Sequence, residues 1–82
     1  MQLTIKLTGT VNKEPSAEWI ALRAIKIQSL VQAEKTDGTM IPTRGISHFC
    51  RFFTDRLSAQ EYLDWIELSN PGYVTTADIS DI

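Results

Sequence analysis

The chain is poor in the residues that most often carry chemistry: of 82 residues, one is Cys, one is His, three are Pro and four are Gly. A lone thiol, Cys50, rules out an internal disulfide and suits a reducing compartment. His48 has no second His or Cys with which to complete a zinc site. Gly9, Gly38, Gly45 and Gly72 are scattered turn glycines, so no loop cradles a phosphate. No apolar run approaches ~18 residues, and no segment reads as a membrane span. Met1-Gln2-Leu3-Thr4 carries no basic stretch followed by an apolar one, and a cytoplasmic location is expected. Excess basic charge is also missing. Eight Lys and Arg against ten Asp and Glu leave a net charge of −2. That balance disfavours a dedicated nucleic-acid binder, whose affinity rests on neutralising phosphates, and a basic membrane-surface helix.

What is present is an ordinary globular composition, 43% apolar and 22% charged. The length fits one domain over residues 1–82, since neither half could bury a core alone. A chain this small has a net stability on the order of 4–12 kcal/mol. Pairing with a second copy would add to that, and a homo-oligomer is expected.

Leu3, Ile5 and Leu7 alternate with Gln2, Thr4, Lys6 and Thr8, which predicts a first strand with one buried face and Gly9 as a possible bulge. Residues 12–16 read as a loop. Residues 17–36 favour helix by propensity, but spacing the side chains at about 100° spreads Trp19, Ile20, Leu22, Ile25, Ile27, Leu30 and Val31 around the whole cylinder. Period two does better, placing Ile25, Ile27, Val31 and Ala33 on one face. The reading is a short strand at Trp19–Leu22, a break near Arg23-Ala24 and a longer strand at about 26–35. Asp37-Gly38 then signals a hairpin into a strand at Thr39–Thr43. Arg44-Gly45 turns the chain into an aromatic-rich strand at Ile46–Thr54.

Ser58-Ala-Gln-Glu61 has the form of a capping box, with Leu57 and Tyr62 as its hydrophobic staple. It opens a helix that ends at Asn70-Pro71-Gly72. Tyr62, Leu63, Trp65, Ile66 and Ser69 form the apolar stripe, and a last strand is expected at about Tyr73–Ile79. The fold class is α+β: a mostly antiparallel twisted sheet of about five strands under one principal C-terminal helix. The runner-up makes residues 16–34 helical and gives a ferredoxin-like βαββαβ order.

Ile20-Ala-Leu22, Ile25-x-Ile27-x-Ser29, Gly38-Thr-Met-Ile41, Phe53-Thr and Ser58-x-x-Glu61-x-x-x-Trp65-Ile66 together give residues 19–66 a pattern that resembles short bacterial flagellar and swarming-motility accessory proteins. The resemblance implies a small β-meander with one helix, a bacterial or phage setting and a non-catalytic accessory role. It assigns no functional residue. The extra strands at both ends and the trio Phe49, Phe52 and Phe53 depart from the family.

His48 and Cys50 share one strand face, as a nucleophile pair or half a metal site would, although a small buried thiol beside an ordinary histidine is the simpler reading. Phe49, Arg51 and Phe53 share the opposite face, which is either packing beneath the helix or an interaction surface. Glu61, Asp64 and Glu67 form a solvated helix face or an acidic docking patch. No catalytic, metal or cofactor-binding set emerges. The expected function is a small non-enzymatic protein–protein interaction or regulatory module with an unidentified partner, host or viral. The alternative is a nucleic-acid-associated regulator, which requires Arg23, Lys26, Arg44, Arg51 and Arg56 to converge on one surface.

Overall fold

The computed structural model describes residues 3–11, 16–37 and 47–82. Strand β1 (Ile5–Val11) leads to helix α1 (Ala17–Gln32), strand β2 (Ser47–Phe53), helix α2 (Arg56–Ser69) and strand β3 (Val74–Asp81). The strands form one antiparallel sheet in the order β2-β1-β3, so the fold is α+β with two helices over three strands among the described residues. Thr36 makes an isolated antiparallel bridge to Phe53 on the far side of β2 from β1. The Asp37 N–H donates to Phe52 O and the Thr54 N–H to Lys35 O at that edge. Each helix therefore links two segments with another strand between them.

Strand alternation sets the layers. Ile5 and Leu7 face the helices opposite Phe53 and Arg51, while Lys6, Thr8 and Thr10 face away with Phe52, Cys50 and His48. Gly9 stays in register with both neighbours, and the irregularity in β3 pairing falls one residue later, between Thr10 and Val11. Gly9 is needed for close approach: a Cβ there would lie 2.6 Å from the Phe49 ring and would collide with the Thr76 carbonyl. At the irregularity, Thr75 turns its hydroxyl to Thr10 O at 2.6 Å.

Residues 17–32 form one helix and not the two strands the period-two pattern suggests. Its buried stripe is Trp19, Arg23, Ile27 and Leu30, a true helical spacing with an arginine as one member. The Ser16 side chain caps it by accepting from the Trp19 N–H at 3.1 Å. At the other end Glu34 takes φ 58°, and the Lys35 N–H reaches Leu30 O at 2.9 Å. That is a Schellman closure with glutamate where glycine is usual. The predicted strand at Thr39–Thr43 and most of its hairpin lie outside the described residues.

Helix α2 also begins earlier than the capping box places it. Its N-cap is Asp55, whose carboxylate accepts from the Ser58 N–H at 2.7 Å. Ser58, 1% exposed, is packed against the core, and Leu57, 68% exposed, staples nothing. The helix ends as the sequence suggests, with Asn70 as C-cap and Gly72 at φ 78°. Both helices cover one sheet face. Trp19 of α1 stacks on Trp65 of α2 at 5.7 Å between centroids, and Tyr62 lies against Phe53 at 5.6 Å.

Candidate functional site

Three regions carry the side chains of interest: the open sheet face, the buried layer between helices and sheet, and the outer faces of the two helices. The open sheet face holds His48 and Cys50 together, as the strand alternation predicts. His48 Nδ1 lies 3.2 Å from Thr10 Oγ1, and Cys50 is half-buried. A shallow concavity of about 470 Å³ runs over them between Lys6, Thr8 and Asp78. Among the described residues, no three His, Cys, Asp or Glu side chains come close enough to hold a metal ion.

Phe49, Arg51 and Phe53 share a face as expected, and it is the face beneath the helices. All three are buried, Arg51 and Phe53 completely. They cannot form an exposed surface with Glu61, Asp64 and Glu67, which lie on the outer side of α2. The interaction patch read from the sequence is thus two separate places in the fold. The basic residues do not converge either: Arg23 and Arg51 are buried, whereas Arg56 is exposed and reaches Asp81 at 3.4 Å and Ile79 O at 3.2 Å. Arg44 lies outside the described residues.

The buried layer has an unusual electrostatic composition. The Arg51 guanidinium lies over the Tyr62 ring at 5.1 Å, and that of Arg23 over the Trp19 ring at 5.4 Å. Burial lowers the pKa of Arg51, opposed by Tyr62 and Asp37 and reinforced by the charge of Arg23. Burial pushes the Tyr62 hydroxyl up to about 12, against the pull of Arg51 and Arg23. Tyr73 is raised by burial too, opposed by Arg23.

The outer faces of the helices differ sharply. On α2 the exposed residues are Arg56, Leu57, Gln60, Glu61, Asp64, Glu67 and Leu68, four of the seven charged. On α1 eleven residues are exposed and only Glu18 among them is charged. Ile20, Leu22, Ile25 and Val31 all stand in solvent there, Ile25 at 66% exposure. The even spread of apolar residues around α1 that argued against a helix is the composition of a helix with apolar surface on both sides. Such helices are found buried on both sides. That spread is the sequence signal of such a helix, and it also fits a change of period to two.

No protein-family model, curated protein or solved structure matches the chain. Fold and site therefore define only a class, a two-layer α+β protein with one sparsely charged helix face. No helix among the described residues is long and apolar enough to cross a membrane.

Proposed function

We infer that the chain is a small non-enzymatic interaction module that self-associates through the outer face of α1. The observation that carries this reading is the single charge among the eleven exposed residues of that helix. A lone helix of an isolated protein keeps water on its outer face with charged and polar groups, as α2 does.

The occupant we assign to the face is a second copy. Each chain carries a net charge of −2, so two copies meet at lowest cost where each presents least charge, and α1, with Glu18 alone charged among its exposed residues, is that place. A basic partner would be drawn instead to Glu61, Asp64 and Glu67 on α2. The exposed apolar residues from Ile20 to Val31 span about 16 Å along α1, with Ile20 and Val31 on one flank and Leu22 and Ile25 on the other side of its outer face. A two-fold axis near Ile25 packs the outer faces of two such helices with axes about 8–10 Å apart. The fold reading that accompanies this is ferredoxin-like, supported by the strand order and by the Thr36 bridge beyond β2.

The test is solution mass by light scattering on the full chain and on Ile25→Glu. The expected result is a dimer for the parent and a monomer for the variant, with unchanged helical circular dichroism. A parent that stays monomeric at millimolar concentration refutes the proposal.

A further inference from the structure

We propose that the outer edge of β3 is a docking site for an extended basic peptide, which adds to the sheet as a further strand and sets Lys or Arg against α2. In the order β2-β1-β3, the outer side of β2 is met by Lys35, Thr36 and Asp37. Among the described residues no strand lies beyond β3. The Ile82 N–H donates to Thr4 O at 3.0 Å, so alternation turns the backbone groups of Ser80, Asp78 and Thr76 toward β1. Those of Ala77 and Ile79 point outward. The Ile79 carbonyl accordingly accepts from Arg56 on α2 at 3.2 Å.

The strand itself suits pairing. Its Val, Thr and Ile favour extended backbone, and it holds neither Lys nor Pro, the residues that most often guard a free edge. On the helix side the edge borders a groove of about 280 Å³, lined by Leu63, Asp64, Glu67, Val74 and Ala77. Ala77 and Ile79 lie on that side with their register partners Gly9 and Leu7, and the small Ala77 leaves the groove open. Both acids accept from neutral donors, Asp64 from Gln60 at 2.8 Å and Glu67 from the Gly72 N–H at 3.3 Å.

Charge selects the occupant. A second β3 fits poorly, because antiparallel pairing would bring Asp78 and Asp81 of two net-negative chains into one contact. An added strand repeats its facing side chains every ~6.6 Å, and those on the groove side pass over Leu63 and Ala77. A Lys or Arg there lays its methylenes on apolar surface and its charge beside Asp64 and Glu67. The next residue faces the open side of the sheet, where Asp78 stands exposed beside Thr8. The segment that fits is therefore extended and carries basic residues at consecutive positions.

The experiment is fluorescence anisotropy of a labelled Val and Thr peptide of roughly ten residues with Lys-Arg at its centre, titrated with the full chain. One control peptide carries Glu-Glu in place of Lys-Arg. A second keeps the charge but is N-methylated at each central backbone amide, so it cannot pair as a strand. The expected result is saturable binding of the first peptide, weakened about tenfold or more in both controls and in Asp64→Lys. Ala77→Pro should abolish binding, since it removes an outward N–H and costs no bond to β1. If that variant does not fold, Asp64→Lys and the N-methylated peptide keep the test. No saturation at millimolar peptide, or equal binding of the N-methylated peptide, overturns the proposal. So does a parent dimer that Ala77→Pro dissociates, because a second copy then occupies the edge. Dimer mass in Ile25→Glu is read separately, so this site and the α1 interface fail independently.

Discussion

At the scale of single residues, Tyr62 ties the core to alkaline stability. Burial is the largest influence on its hydroxyl and carries it from 10.0 to about 12, although two guanidinium groups favour the ionised form. A tyrosine whose pKa is higher in the folded state holds its proton after the unfolded chain has released it. The stability it contributes is complete below pH 10 and is lost as pH rises toward about 12. Urea unfolding at pH 8 and at several values between 10 and 12 should show a steep loss for the parent chain. The loss should be shallower in Tyr62→Phe, with Tyr73 accounting for part of the remainder. Equal slopes for the two proteins would show that the phenol is not desolvated as described. Arg51 is an example of residue-scale information that strand alternation predicts well. The grouping of Phe49, Arg51 and Phe53 on one face was legible, because period two is fixed by the backbone. That this face is the covered one was equally open to the sequence, since Phe dominates cores.

At the scale of elements, the start of α2 gives a prediction that separates two caps. The Asp55 carboxylate accepts from the Ser58 N–H, and this bond holds its pKa below the ordinary value of 3.8. A carboxylate also suits the positive end of the helix dipole. Asp55→Ala should cost about 1 kcal/mol at pH 7, whereas Glu61→Ala should fall within about 0.5 kcal/mol, as an exposed substitution does. The Asp55 contribution is present above the ordinary carboxylate value and disappears as pH falls through the lower folded one, so the cost should vanish in acid. Denaturant midpoints at pH 7 and pH 2.5 check both statements, and a larger loss from Glu61→Ala would restore the Ser58 cap. The end of α2 was readable because Asn70-Pro71-Gly72 forces a stop. Its start was misplaced because Asp55 and Ser58 are both good caps three residues apart, and only packing decides between them. Helix α1 was hidden for three linked reasons. An arginine occupies its buried stripe, apolar residues occupy its outer face, and Glu34 closes it where a glycine would have marked the end.

At the scale of the whole molecule, the outer face of α1 decides how stability depends on concentration. Ile25 is 66% exposed, so Ile25→Glu removes little from the monomer, and glutamate is the better helix former. If folding is coupled to pairing through this face, the parent's unfolding midpoint rises with protein concentration by mass action. Calorimetry from 5 μM to 500 μM should show that rise in the parent and a constant midpoint in Ile25→Glu, the two converging at high dilution. A midpoint independent of concentration in both proteins, with the parent dimeric by mass, would place the interface elsewhere. Salt supplies the sign that distinguishes an apolar face from a charged one. Copies of net charge −2 with acidic α2 faces repel weakly across an uncharged contact, and screening reduces that repulsion. The midpoint difference between concentrated and dilute protein should therefore hold or grow from 50 mM to 500 mM sodium chloride. An interface built on ion pairs would lose affinity over the same range. A steep loss with salt would move the contact from α1 to the charged surface of α2.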